Sequence, residues 1–129
     1  MPSSKGAPAS LDRSVTDTLP QDVAEETISN RVAIIATPAH PGSGFVRIIR
    51  SGGKSFVRYE ELQTINGPDI YVYLSKDFDA KEYVEIGRVR ATEGNINYEI
   101  PENINPREYP YVLIWCKAFG VLFNSAKVY

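Results

Sequence analysis

The side chains best suited to chemistry in this chain are one cysteine and one histidine, Cys116 and His40. A thiolate is a nucleophile and a soft metal ligand, and an imidazole can serve it as a base or as a co-ligand. Two interpretations of Cys116 stay open, a small buried hydrophobe and a thiol with a redox or ligand role. A lone thiol cannot close an internal disulfide, so a redox cycle needs a second thiol, a metal or a haem from outside the chain.

His40 belongs to the turn-rich segment TPAHPGSG, residues 37–44. It either hydrogen-bonds its own turn or acts as the partner of Cys116. The two residues are far apart in the sequence, so only the fold can bring them together. One His and one Cys make at most half of a metal site, to which Asp69, Glu99 or a backbone carbonyl would have to add. The metal is therefore unknown, with haem or copper as the alternatives that this pair of ligands suggests.

Three further residues are candidates for binding. Asn66 and Asp69 bound the segment Asn-Gly-Pro-Asp, whose composition predicts a tight turn. In that turn Asp69 is expected to accept backbone N–H groups, and its use as a metal or proton ligand is the alternative. Trp115 is expected to pack in the core because of its bulk, and a stacking platform for a sugar or a haem is the alternative.

The tyrosine content gives a separate possibility of binding. The chain has eight Tyr and five Phe, and several of the tyrosines fall in strand-like segments. They form either cross-strand pairs or an exposed face like that of carbohydrate-binding sandwiches. The set comprises Tyr71, Tyr73, Tyr98, Tyr109 and Tyr111. The sequence contains no GxSxG, HExxH, P-loop or CxxC motif, so nothing in it indicates an enzyme.

Short strands must position these residues. The stretch Tyr109 to Ser125 holds the longest apolar run, and its apolar residues on both faces place Tyr111–Cys116 at the centre of a sheet. Turn signals separate about eight short strands, which predicts an all-β fold, an antiparallel β-sandwich or barrel-like sandwich. The predicted strands are Val32–Ala36, Phe45–Arg50, Lys54–Tyr59, Ile70–Ser75, Tyr83–Val89, Asn95–Ile100, Tyr111–Cys116 and Val121–Val128.

The domain organisation follows from composition. Residues 1–30 carry few large apolar side chains and are predicted to form a flexible tail or stalk, with one β-domain over residues 31–129. Acidic residues within 22–28 suit one or two helical turns. The net charge of −2 gives no reason to expect nucleic acid as a partner. No leader is visible, so we expect either a cytosolic protein or one whose leader or membrane anchor lies outside this sequence.

Four segments of the chain together resemble one known family. The segment NGPD at 66–69 followed by YVYLS at 71–75 is similar to the NGPD-x-x-VYLS signature of the DM-thirteen domain, which occurs in Skeletor-type proteins. The segment NYEIP at 97–101 is similar to the NYE-x-P element of that family. The closing stretch VLIWCKAFGVLF at 112–123 resembles its last element, cysteine included, and HPGSG at 40–44 resembles its H-x-x-SG pair. The motifs occur in the family's order.

The resemblance implies an extracytoplasmic β-sandwich, secreted or membrane-anchored. It also implies an electron-transfer or thiol-based redox role through Cys116, with His40 nearby and an unidentified protein or redox partner. A non-enzymatic binding or adhesion module and a haem- or metal-binding module are the alternatives. Any contact with a membrane would run through the missing anchor.

Overall fold

The computed structural model describes residues 7–18 and 25–129 as a chain of short strands. Two single 3-10 turns, Ala9–Leu11 and Pro106–Glu108, interrupt it. The strands are β1 Ser14–Thr16, β2 Glu25–Thr27, β3 Val32–Ala33, β4 Ile35–Ala36, β5 Ser43–Ser51, β6 Lys54–Gln63, β7 Ile70–Ser75, β8 Tyr83–Arg88, β9 Glu93–Glu99, β10 Tyr111–Cys116 and β11 Val121–Lys127.

The strands form two sheets that pack face to face. In the first sheet the order is β1-β9-β6-β5-β2, with β3 also pairing with β5. In the second it is β4-β11-β10-β7-β8. The pairings are antiparallel except for β1 with β9, and the sheets do not close into a barrel. The predicted all-β sandwich is confirmed, and β10 lies between β11 and β7, as its two apolar faces indicated.

The core lies between the sheets because residues two apart on a strand share a face. Val72 and Leu74 on β7 and Val112, Ile114 and Cys116 on β10 all belong to one buried cluster. The first sheet supplies the opposing layer from β5, β6 and β9. Each fully buried Val or Ile side chain contributes about 1.5–3 kcal/mol relative to exposure.

The predicted strand Val32–Ala36 is divided between the two sheets. Val32 and Ala33 pair with β5, whereas Ile35 and Ala36 pair with β11. The chain changes sheet at Ile34, which is buried between them. The apolar composition of the segment therefore reflects a crossing through the core.

The N-terminal segment lies partly outside the described residues, which begin at 7 and omit 19–24. The helical turns expected over 22–28 are wrong in the described part, because Glu25–Thr27 is strand β2. Before the gap, β1 pairs with β9. Asp17 lies next to β1, and its carboxylate is bound by Arg90 at 2.6 Å. The flexibility of this segment stays a prediction.

Candidate functional site

The cavity that matters for chemistry brings together the two candidate residues named from the sequence. It has a volume of about 650 Å³, and both His40 and Cys116 line it. The described residues that line it are Asp12, Ala39, His40, Thr64, Ile65, Asn66, Pro68, Cys116, Phe119, Val121 and Phe123. The fold thus places the lone imidazole and the lone thiol around one space, which the sequence alone could not show.

Cys116 forms the inner end of this cavity. It is the last residue of β10, pairs with Ile70 and Val121 on the neighbouring strands, and is 1 % exposed. The thiol belongs to the hydrophobic core and also lines the cavity. A reagent must therefore enter the cavity to reach it. Lys117 extends away from the site to Glu85, with Nζ 3.0 Å from the carboxylate, so it forms an ion pair there.

His40 is fixed in the wall by a ring stack and a hydroxyl. Its ring lies parallel to that of Phe123, with centroids 3.9 Å apart and planes 16° apart. Its Nδ1 lies 2.9 Å from Oγ1 of Thr37. Burial lowers the pKa of His40 below its usual value, so the neutral ring is the main form at pH 7.

The tautomer of His40 follows from the other contacts of Thr37. The Thr37 hydroxyl lies 3.3 Å from the carbonyl oxygen of Leu122 and 3.2 Å from that of Phe123. Carbonyl oxygens only accept, so we assign the single hydroxyl proton to them and Nδ1–H as the donor to the hydroxyl. Nε2 is then an unprotonated acceptor. It has no hydrogen-bond partner in the part of the chain that the structure describes.

The Asn-Gly-Pro-Asp turn contacts the Phe123 ring of this stack. The Asn66 side chain accepts from the Gly67 N–H at 2.8 Å and donates to the Pro8 carbonyl at 2.7 Å. A Cβ on Gly67 would lie 2.8 Å from Cζ of Phe123, which is closer than side chains normally approach. Glycine is therefore required because the turn packs directly on the Phe123 ring.

Asp69, at the end of the same turn, does not line the cavity. Its carboxylate lies 3.3 Å from the guanidinium of Arg88, and its carbonyl accepts from the Lys117 N–H. The structure thus brings Asn66 to His40 and Cys116 and places Asp69 in an ion pair. Its use as a ligand is not supported by this position.

The core position expected for Trp115 is wrong. Trp115 is half-buried and, as the neighbour of Cys116 on β10, faces the other side of the sheet. Its ring stacks near that of Tyr73, with centroids 6.3 Å apart, and Tyr83 covers Tyr73 at 4.3 Å. These rings and Tyr71 form an outer aromatic surface on the second sheet.

The remaining tyrosines of the predicted set do not join this surface. Tyr98 is buried in the core, edge-on to Tyr59 at 6.2 Å. Tyr111 packs against Phe78, and the ammonium of Lys76 lies over Tyr109. The tyrosine set is therefore split among three environments.

Several lining residues were missed from the sequence. Phe119 lies in the turn between β10 and β11 and is 70 % exposed. Ile65 precedes the Asn-Gly-Pro-Asp turn and is also exposed. The signal that could have indicated an apolar opening is a phenylalanine at the centre of a hairpin turn, since turns usually carry polar or small residues.

Residues 7–18 and 25–129 offer neither a cluster of metal ligands nor a membrane-spanning helix. No three His, Cys, Asp or Glu side chains there lie close enough together to hold a metal ion. The same residues contain no helix with the length and apolar character of a membrane span.

Comparison with known proteins gives one match. A family model described as electron transfer DM13 matches residues 35–128, so the resemblance carried by the sequence motifs is confirmed. No curated protein and no solved structure gave a significant match.

Proposed function

Since the chain belongs to the electron transfer DM13 family, we propose that it is an extracytoplasmic accessory domain in which the Cys116 thiol carries the redox step. The family match suggests electron transfer in general. The observation that supports the thiol as its agent is that Cys116 and His40 line one cavity. A small partner entering this cavity meets both groups.

The proposed step is thiol–disulfide exchange with a small disulfide. Neutral His40 takes the thiol proton, and the Cys116 thiolate attacks one sulfur of the disulfide RSSR. A Cys116–S–S–R bond forms, the S–S bond of RSSR breaks, and the second sulfur leaves as RS⁻, which takes the proton from His40. A further small thiol R′SH attacks the outer sulfur of the mixed disulfide, which restores the Cys116 thiol and releases RSSR′, so the electron pair passes from R′SH to RSSR. No second cysteine of the chain is required.

The test is the rate at which Cys116 reacts with methyl methanethiosulfonate in the folded protein, followed by mass spectrometry. We expect labelling faster than global unfolding, because the reagent is small enough for the cavity. His40→Gln should slow the reaction at pH 7. Phe119→Ala should speed it by widening the opening, and Phe78→Ala, an exposed Phe elsewhere, is the matched control.

Labelling that occurs only as fast as the protein unfolds would reject the redox role. If His40→Gln and Phe119→Ala both left the labelling rate at the wild-type value, the proposed roles of His40 and of this opening would be rejected. Unfolding rates from hydrogen exchange supply the comparison.

A haem or metal site is the alternative that the same residues suggest. His40 Nε2 is an available acceptor and Cys116 supplies a thiol, and of the other lining residues that the structure describes, Asp12 alone is a further strong ligand. Absorption spectra with haem, copper and zinc, recorded for wild type and His40→Gln, test this alternative. Absence of uptake removes it.

A binding module is the second candidate function, and the outer aromatic surface favours it. Tyr83 is 43 % exposed there, and Arg88 lies over the Tyr71 ring at 4.7 Å. Aromatic rings beside charged groups suit a sugar, which offers C–H faces and hydroxyls. Affinity electrophoresis in soluble polysaccharides should show retardation that Tyr83→Ala removes and Cys116→Ala preserves; no retardation rejects this candidate.

The proposed location rests on the family alone. Fractionation of the source cells, with protease treatment of intact cells, tests it directly. Protein that is found only in the cytosolic fraction would contradict the extracytoplasmic placement.

A further inference from the structure

The cavity around Cys116 has the dimensions and lining of a small-molecule site. Its volume of about 650 Å³ lies within the usual range for such sites, which combine apolar walls with few polar groups. The apolar part comes from Ile65, Phe119, Val121 and Phe123, with smaller contributions from Ala39 and Pro68. Water contacts such apolar walls unfavourably, so its displacement by an apolar ligand is favourable.

The opening of the cavity is unusually apolar for a protein surface. Phe119 is 70 % exposed, Ile65 is 40 % exposed and Val121 is 37 % exposed. These are three of the six large hydrophobic side chains that stand exposed in the described part of the chain. Their grouping around one opening, rather than scattered over the surface, is typical of a binding site.

The shape of the wall favours a flat ligand. The His40 and Phe123 rings are parallel within 16° and form a two-ring slab on one side. Phe119, which belongs to the turn between β10 and β11, also lines the cavity. Aromatic rings at such positions bind planar molecules by stacking.

The polar groups restrict the ligand further. Among the described residues of the lining, Asp12 alone is formally charged, and its negative charge disfavours an anion. Asn66 is already committed to Gly67 and Pro8. His40 Nε2 is left as an acceptor, which asks for a ligand that donates a hydrogen bond.

We propose that this cavity binds an uncharged planar aromatic alcohol, of the phenol or hydroquinone class, whose hydroxyl donates to Nε2 of His40. This inference deepens the proposed function and rests on it for the role of the cavity. The hydroxyl of the ligand approaches Nε2 in the plane of the imidazole, and its ring packs on the apolar side chains that line the cavity, Phe119 among them.

The probe is 2-naphthol, titrated into the whole protein by isothermal calorimetry and compared with 2-methoxynaphthalene. The two molecules share the ring system, but only the first donates a hydrogen bond. We expect the methoxy compound to bind about tenfold more weakly, as the loss of one hydrogen bond predicts. Absence of 2-naphthol binding, or equal affinity for the two compounds, overturns the proposal.

Variants locate the bound probe. His40→Phe keeps a stacking ring and removes the acceptor, so it should abolish the preference for the hydroxyl. Phe119→Ala should weaken binding about three- to tenfold through loss of an aromatic contact. Phe78→Ala, an exposed Phe outside the cavity, should leave the affinity unchanged. Should His40→Phe fail to fold, Thr37→Val tests the same point. It removes the hydroxyl that accepts from Nδ1–H, and with it the contact that keeps Nε2 an acceptor.

Two measurements separate this inference from the proposed redox role. The first is the affinity of wild type for 2-naphthol by calorimetry, and the second is the labelling rate of Cys116 in wild type, which saturating 2-naphthol should slow. If 2-naphthol binds while Cys116 is inert, only the redox role fails. If Cys116 reacts but 2-naphthol does not bind, or binds without slowing the labelling, the ligand proposal fails.

Discussion

Replacing Gly67 by Ala should damage the site through the Phe123 ring. The added Cβ would lie 2.8 Å from Cζ and 3.1 Å from Cε2 of Phe123, and 3.0 Å from Cγ2 of Ile70. Carbon atoms prefer separations of about 3.5–4.0 Å, so the ring must shift by about 0.7–1.2 Å. Phe123 is only 4 % exposed and cannot move outward freely. Overpacking of this kind costs about 1–3 kcal/mol of unfolding free energy.

The assay combines urea unfolding with an NMR titration of His40. Moving Phe123 disturbs its stack with His40 and admits water to the imidazole. Burial is what lowers the pKa of His40, so the pKa in Gly67→Ala should rise toward its usual value. The stability loss and the pKa change should appear together.

Gly87→Ala is the matched control for this substitution. A Cβ there would have Tyr98 Cδ1 at 3.8 Å as its nearest contact, which is an ordinary distance. We expect its unfolding free energy to stay within about 0.5 kcal/mol of wild type. Equal stability of the two variants, or an unchanged His40 pKa in Gly67→Ala, would refute the claim that the turn holds the wall of the cavity.

Three further predictions concern the first sheet. Partial burial alone would raise the pKa of Glu60, but hydrogen bonds from three arginines outweigh it and lower the pKa to about 2. The contribution of Glu60 to the free energy of unfolding should therefore be complete above the usual Glu pKa and be lost as the pH falls toward 2. At pH 7, Glu60→Gln should cost about 1–3 kcal/mol by urea unfolding, against about 0.5 kcal/mol for the exposed control Glu61→Gln; equal costs would contradict this. The hydrogen bond from Arg90 lowers the pKa of Asp17, so Asp17→Asn should reduce stability at neutral pH by about 1 kcal/mol. It should also remove the part of the pH dependence of unfolding that lies below the usual Asp pKa, and an unchanged pH profile would count against it. Tyr98→Phe removes the acceptor of the Arg90 N–H and should lower stability by about 1 kcal/mol in thermal unfolding. Unchanged stability, with the Arg90 amide exchanging as slowly as in wild type, would contradict this.

The sequence was most informative where local and global signals agree. Ile70–Ser75 and Tyr111–Cys116 were predicted with the bounds that the structure has. Both runs are rich in β-branched and aromatic residues and are bounded by turn chemistry. Because these runs are apolar on both faces, the sequence favoured a central strand for each of them.

The sequence was less informative where contacts with distant residues decide the local structure. Strand β6 continues past Tyr59 to Gln63, although Glu60 and Glu61 read as the start of a polar loop. The Glu60 carboxylate is held by arginines from this strand and from others, including Arg47 on β5. Such partners come from distant parts of the chain, so no local pattern announces them.

The candidate site was predictable only in its two reactive residues. Cys116 and His40 stood out because each is the single member of its type. The stack on Phe123 and the opening at Phe119 depend on how two turns meet in space. Trp115 was misplaced because bulk alone does not say which face of a strand turns inward.

The pairing of the first sheet has a consequence for work with fragments. Strands β1 and β2 lie at its two margins, against β9 and β5, and both precede residue 35, where the family match begins. A fragment cut to the matched region would leave these neighbours with unbonded N–H and C=O groups. Such bare margins recruit strands from other molecules, so we expect this fragment to self-associate more than the whole chain does.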